Sequence, residues 1–293
     1  MQLLDVIRAA GLDPQCISVL FHVSDKPALH RALPMLVEEA PDLFDAFQNQ
    51  HGKRIEATVK SRPLMMGFVA TQSRDYVFAG LYDVRGHRFR TLAELDADPR
   101  RALLRARYDD ISFVQHGAEN DYTGRLEFDL ALRDDLRDLI GRLIVAKPSG
   151  RAYARLAENL ATPVIEIARN RKLVPPLPNW DEVVLSATDL RSLPQTWAAR
   201  LREWRGIYHI LDTQDGARYV GSAYGVTNIL GRWQAHVAGV QGITAELANR
   251  DPAGLRFSIL ELLSPAAVAS EVVRIEGFWK ERLGTRLWGL NKN

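Results

Sequence analysis

Apolar residues recur at helical spacing in some stretches of the chain and cluster into short extended runs in others, which together predict a mixed α+β protein. Leu3, Leu4, Val6 and Ile7 fit the buried face of a first short helix, ended by Gly11 and Pro14. Residues 17–23 read as a strand. The spacing of Leu29, Leu33, Leu36 and Val37 predicts a second helix, kinked or restarted at Pro34, and Leu43, Phe44 and Phe47 predict a further helical turn after Pro41. From about residue 57 to 84 the character changes. Met65, Met66, Phe68 and Val69, then Tyr76, Val77, Phe78, Leu81 and Tyr82, punctuated by Gly67, Gly80 and Gly86, read as a small antiparallel sheet. Short strands are predicted at 111–114, 126–130, 143–145 and 164–167, with a helix over 132–139.

Pro175, Pro176 and Pro178 then interrupt any regular pattern, which favours a stiff extended connection. The sequence therefore divides into a mixed α+β region at 1–175, a linker and connecting helix at 176–199, and a C-terminal domain at 200–293. In that last part, 206–211 and 217–221 read as two strands of a hairpin turned through Asp215-Gly216. A helix capped by Thr227 or Asn228 follows, then a third strand at 256–263. A helix starting near Pro265 carries the packing stripe Val268, Val272, Ile275 and Trp279, with Gly284 at its end.

Composition adds limits more than identity. With 46% hydrophobic and 25% charged residues the chain is not disordered throughout. It has no apolar run long enough to span a membrane, and its N-terminus lacks a secretory pattern, so a cytoplasmic location is expected. The single cysteine, Cys16, offers neither an internal disulfide nor a cysteine-based zinc cluster. Net charge is only +2, but from Arg200 onward 12 Lys/Arg face 9 Asp/Glu, a local excess of +3 that permits a phosphate partner.

The chemistry concentrates in the C-terminal domain. Strand pairing would bring Tyr208 and Tyr219 together, where two phenols can orient a water and a phosphate oxygen. Arg232 and His236, four residues apart, share one helix face. A planar guanidinium suits a phosphodiester, because its donors can hold two oxygens at once. Glu276 lies at the border of a packing stripe and offers a hard oxygen ligand for Mg²⁺ or Mn²⁺. His209 follows Tyr208 on a strand and should face away from it. Trp204, Trp233, Trp279 and Trp288 lie beside core stripes, and packing is expected of them ahead of base stacking.

These residues, in this order, resemble the GIY-YIG nuclease family. Gly206-Ile207-Tyr208 matches its first named element, and Tyr219-Val220-Gly221 matches the second with valine in place of the usual isoleucine. Arg232, Glu276 within IEGFWKERLG, and Asn291 within GLN match the remaining elements. The resemblance covers residues 204–291 only. It implies a compact domain around a three-stranded antiparallel sheet and metal-dependent hydrolysis of DNA. In that scheme Glu276 holds the metal, Tyr208 activates water, Tyr219 orients the water or phosphate, and Arg232 clamps the phosphate. His236 is expected either in catalysis or phosphate contact, or in a structural hydrogen bond. Gly206, Gly221 and Asn291 are expected in support.

The larger N-terminal region is expected to select the DNA target, or else to bind a protein or form a homodimer. In it, Lys147, Arg151, Tyr153 and Arg155 suggest phosphate and base contacts, against the alternative of a polar strand edge. Three functional readings stay open: a restriction-like endonuclease, a structure-specific repair or recombination nuclease, and a noncatalytic nucleic-acid-binding regulator.

Overall fold

The computed structural model describes residues 1–108, 123–150, 153–239, 247 and 249–292. The chain is an α+β protein that divides into two compact units, Met1–Pro175 and Pro176–Asn293.

In the first unit, α1 (Leu3–Ala9) leads into β1 (Ile17–His22), followed by α2 (Pro27–Glu39), α3 (Pro41–Gln48) and α4 (Lys53–Lys60). Then come β2 (Leu64–Ala70), β3 (Tyr76–Thr91), α5 (Leu92–Asp96), α6 (Pro99–Tyr108), β4 (Gly124–Leu132), β5 (Leu143–Val145), β6 (Ala154–Leu156) and β7 (Val164–Ile167). The seven strands form one sheet in the order β6-β1-β2-β3-β5-β7, with β4 also paired to β3. The expected small antiparallel sheet is thus part of a larger mixed one. β1 and β2 run parallel, and a parallel pair needs a crossover, which α2, α3 and α4 supply. Pro34 is accommodated inside α2 without ending it. The helix expected over 132–139 is only a 3₁₀ turn at Arg137–Leu139, and the strand expected at 111–114 lies outside the described residues.

The second unit begins earlier than the predicted domain. The segment expected as linker and connecting helix is built into it: Leu177, Trp180, Val183, Leu185, Leu190 and Trp197 all pack against its core. The segment's own apolar content overrides its prolines. Its elements are β8 (Val184–Ser186), α7 (Ala187–Arg191), α8 (Gln195–Glu203), β9 (Arg205–Asp212), β10 (Arg218–Ala223), α9 (Asn228–Ala238), β11 (Leu255–Leu263) and α10 (Ala269–Arg282). The three expected strands form an antiparallel sheet ordered β10-β9-β11, and β8 adds a fourth at the far edge.

Alternation along the strands sends their side chains to two cores. Ile207 and Val220 pack with Val272 of α10, while Tyr208, Ile210 and Phe257 pack with Trp233 of α9 on the opposite face. Pro265 does not begin α10. That helix starts four residues later, and Val268, expected in its packing stripe, is its exposed N-cap. Gly284 follows the helix with φ +61°, a left-handed stop that suits a glycine.

Candidate active site

β9 and β10 are paired so that Tyr208 lies opposite Gly221, and Tyr219 opposite Ile210. The two phenol rings come within 6.3 Å on the α9 face of the sheet. Gly206 and Gly221 of the hairpin are sterically required. A Cβ on Gly221 would lie 2.4 Å from the Tyr208 hydroxyl oxygen, and one on Gly206 would lie 2.2 Å from the Glu261 carbonyl oxygen. The tyrosine pair therefore stands on a strand that cannot carry a side chain beneath it.

α9 brings Arg232 and His236 over these rings. The Arg232 guanidinium acts electrostatically on both hydroxyls and is held charged, first by the Tyr208 oxygen. His236 Nε2 is 2.8 Å from the Tyr208 hydroxyl, and its ring meets both tyrosines edge-on. Burial, reinforced by Arg232, lowers the His236 pKa to about 3, so the ring is neutral at physiological pH. Its Nδ1 is buried without a partner. A buried lone pair is tolerated better than a buried N–H, which favours the tautomer that donates Nε2–H to the Tyr208 oxygen. His236 is only 4% exposed.

Burial, with Tyr219 adding to it, pushes the Tyr208 hydroxyl well above the ordinary phenol range, and Arg232 opposes the shift. Tyr219 is raised for the same reason, burial first and then the charge of Glu276. That charge also acts on Tyr208 and Arg232, so Glu276 belongs to the same electrostatic neighbourhood.

Glu276 arrives from the other face. Ser222 shares the parity of Val220, so it points toward α10, where its hydroxyl donates to one Glu276 carboxylate oxygen. The other oxygen accepts from Lys280 Nζ at 2.6 Å, a pair whose side chains are 14% and 5% exposed. β10 is the edge strand, so tyrosines on one face and a carboxylate on the other can serve a single cleft around that edge. Ser222 and Lys280 escaped the sequence reading. The i,i+4 spacing of Glu276 and Lys280 was the available signal for the second.

Asn291 locks the edge. Its side-chain amide accepts from Val220 N–H at 2.9 Å and donates to Val220 C=O at 2.8 Å, standing in for one residue of a missing strand. His209 faces away from the site, as alternation requires. Trp233 is fully buried and Trp204 and Trp279 are partly so, whereas Trp288 is 85% exposed and does not pack as expected.

Among the described residues no group of three or more His, Cys, Asp or Glu is placed to hold a metal ion. A Mg²⁺-type ion needs less, since it commonly takes one or two carboxylates and completes its shell with water and substrate phosphate. An ionised carboxylate has about four lone-pair sites, of which Ser222 and Lys280 engage two, so the hard-oxygen donor Glu276 fits such an ion.

In the first unit, Lys147 is exposed and Arg155 donates to the Ser149 carbonyl oxygen. Tyr153 turns its hydroxyl inward onto His22. Arg151 lies outside the described residues.

No model of a known protein family and no curated protein matches the chain. Among solved structures, it is similar to the catalytic domain of the homing endonuclease I-TevI at 27% identity, over 30% of this chain and 96% of that one, with a TM-score of 0.25. A mutant of the catalytic domain of the intron endonuclease I-TevI gives 24% identity over 31% and 94% of the two chains, with a TM-score of 0.27. Among the described residues no helix is long and apolar enough to cross a membrane.

Proposed function

We propose that the second unit is a GIY-YIG-like, divalent-metal-dependent endonuclease that hydrolyses DNA phosphodiester bonds, with target selection, of a restriction-like kind, by the first unit. One observation carries this reading: Tyr208, Tyr219 and Arg232 converge at the edge strand β10, within electrostatic reach of a carboxylate, Glu276, that is fixed from the opposite face.

In this reading Arg232 clamps the scissile phosphate with two of its donors. Tyr208 receives the proton of the attacking water. A buried phenol is a poor base, and the nearby positive charge of Arg232, with donation from His236 onto its oxygen, is the chain's own means of favouring the phenolate. Tyr219 orients the water, and His236 is a positioning residue for Tyr208. Glu276 holds a Mg²⁺ or Mn²⁺ ion, which when bound stabilises negative charge on the phosphate oxygens. Ser222 and Lys280 fix the Glu276 rotamer.

Cleavage profiling tests the proposal: the purified chain is incubated with Mg²⁺ or Mn²⁺ and plain duplex, base-modified duplex, single-stranded or branched DNA, and the cut ends are mapped. Cleavage of at least one class with hydrolytic ends is expected. No cleavage of any class would overturn it.

A further inference from the structure

Past α10 the chain makes one closed turn that presents two large apolar side chains to solvent. The Thr285 carbonyl accepts from the Asn291 N–H at 3.1 Å, and the Thr285 N–H donates to the Lys280 carbonyl at 3.0 Å. Thr285, Leu290 and Asn291 are buried, so both ends of the turn are anchored. Between them Leu287 is 81% exposed and Trp288 85%. Adjacent apolar side chains that open to water mark a surface with a partner more often than scattered single ones do.

The tip of the turn is held in place. The Leu287 and Trp288 N–H groups both donate to the Gly284 carbonyl, at 3.1 and 2.8 Å. A Cβ on Gly284 would lie 3.0 Å from Trp288 Cδ1, so the indole rests against a residue that has no side chain. A Cβ on Gly289 would lie 2.5 Å from the Arg218 carbonyl oxygen and 2.8 Å from that of Thr285, which sets the turn flush against β10. The Leu290 N–H donates to the same Arg218 carbonyl at 2.8 Å, and Asn291 pairs with Val220. An exposed aromatic ring on so fixed a turn has less freedom left to lose on binding.

Its position and charge select what covers it. Arg218 precedes Tyr219 and, by strand alternation, stands with Ser222 on the Glu276 face of β10. The turn therefore borders the cleft that Tyr219 and Glu276 share. From Gly284 to Lys292 the charged residues are Arg286 and Lys292 alone, both cationic, and Arg218 beside them is exposed as well. A second copy laid on this turn across a two-fold axis would bring like charges together. A polyanion that carries flat apolar rings suits both features, with phosphates near the cations and a base on the indole.

We propose that Trp288, backed by Leu287, stacks on one unstacked base of the DNA strand held at the β10 edge. The proposal rests on the nuclease reading for the polymer and for its place along β10. A side chain that stacks in this way has to open a base step, which costs least where the base is already unpaired. The turn thus favours duplex DNA with an unpaired base over the same duplex fully paired.

The test uses the full chain in EDTA, where metal-dependent cleavage is off, and a fluorescein-labelled duplex with a single unpaired base alongside the fully paired duplex, read by anisotropy. The wild-type chain is expected to bind the first at least about tenfold tighter, within the range of a base–aromatic stack. Trp288→Ala is expected to remove that preference, and Trp288→Phe to keep most of it. Both variants should unfold at the wild-type urea concentration, because the side chain they alter is exposed. Equal binding of the two duplexes by the wild-type chain, or a preference that survives Trp288→Ala, would overturn the proposal. A dimer seen by sedimentation and lost in Trp288→Ala, with the preference intact, would overturn it in favour of a contact between copies. Because binding is read without metal, loss of this preference and loss of cleavage are separate results.

Discussion

Removing the Asn291 side chain isolates the structural role of one residue that the motif alone left ambiguous. Asn291 and Val220 are both 0% exposed, and the two bonds between them are 2.9 and 2.8 Å long. Asn291→Ala strands one buried N–H and one buried C=O of β10. Each unpaired group costs about 1–3 kcal/mol, so the second unit should lose about 2–6 kcal/mol, nearer the lower end if water enters the space left behind. All six tryptophans lie at or beyond Trp180, so tryptophan emission during urea unfolding reports the second unit alone. With a urea dependence of about 2 kcal/mol per M, the midpoint should fall by about 1–3 M. A fall of less than about 0.25 M would refute the claim that this amide pins the edge strand.

Other perturbations follow from the same geometry. Gly221→Ala places a methyl group 2.4 Å from the Tyr208 hydroxyl and 2.8 Å from the Tyr219 ring, so it should displace the pair. It should cost about 1–3 kcal/mol and abolish cleavage, and wild-type activity in this variant would contradict the assigned register. Lys280→Met leaves the Glu276 carboxylate without its cation in a pair only 5% and 14% exposed, and should destabilise the second unit by about 3–5 kcal/mol in the same urea assay. An unchanged midpoint would show the pair to be dispensable. His236 is neutral in the fold, with its pKa depressed to about 3 from an unfolded value of 6.5. Between those values the unfolded chain binds more protons, so stability is full above pH 6.5 and is lost as pH falls toward 3. About 2 kcal/mol should go between pH 6.5 and 5, with His209, also depressed, adding in the same direction. His236→Asn should flatten that slope, and an unaltered slope would assign it elsewhere.

The candidate site was far more legible in the sequence than the fold around it. Tyr208, Tyr219 and Arg232 sit on elements whose periodicity is plain: a hairpin with Asp215-Gly216 in its loop and an amphipathic helix. The meeting of the two tyrosines follows from strand pairing, and the helix brings Arg232 over them. His236 was harder to place, because helix spacing puts it on the right face without fixing its depth. The first unit misleads because local patterns do not reveal non-local pairing. The apolar run of β1 looks the same whether its neighbour is parallel or antiparallel, and only the three intervening helices decide. Gly86 looked like a strand end, yet β3 continues through it to Thr91 at a register shift in its pairing with β4. In the segment 176–199 the prolines drew attention from Trp180, Leu190 and Trp197, whose burial fixes it in the second unit.

The central claim is hydrolysis of DNA at the β10 edge, and the most direct measurement compares supercoiled plasmid cleavage, with Mg²⁺, by the wild-type chain, Tyr208→Phe and Glu276→Gln. Tryptophan-monitored unfolding of each protein is recorded alongside. Both substitutions nearly preserve shape while removing the oxygen or the charge that the proposed chemistry needs. The account predicts that both variants fold and that each loses at least about a hundredfold in cleavage rate, the scale of one acid–base or charge-stabilising group. A folded Tyr208→Phe or Glu276→Gln protein that cuts at the wild-type rate would contradict it.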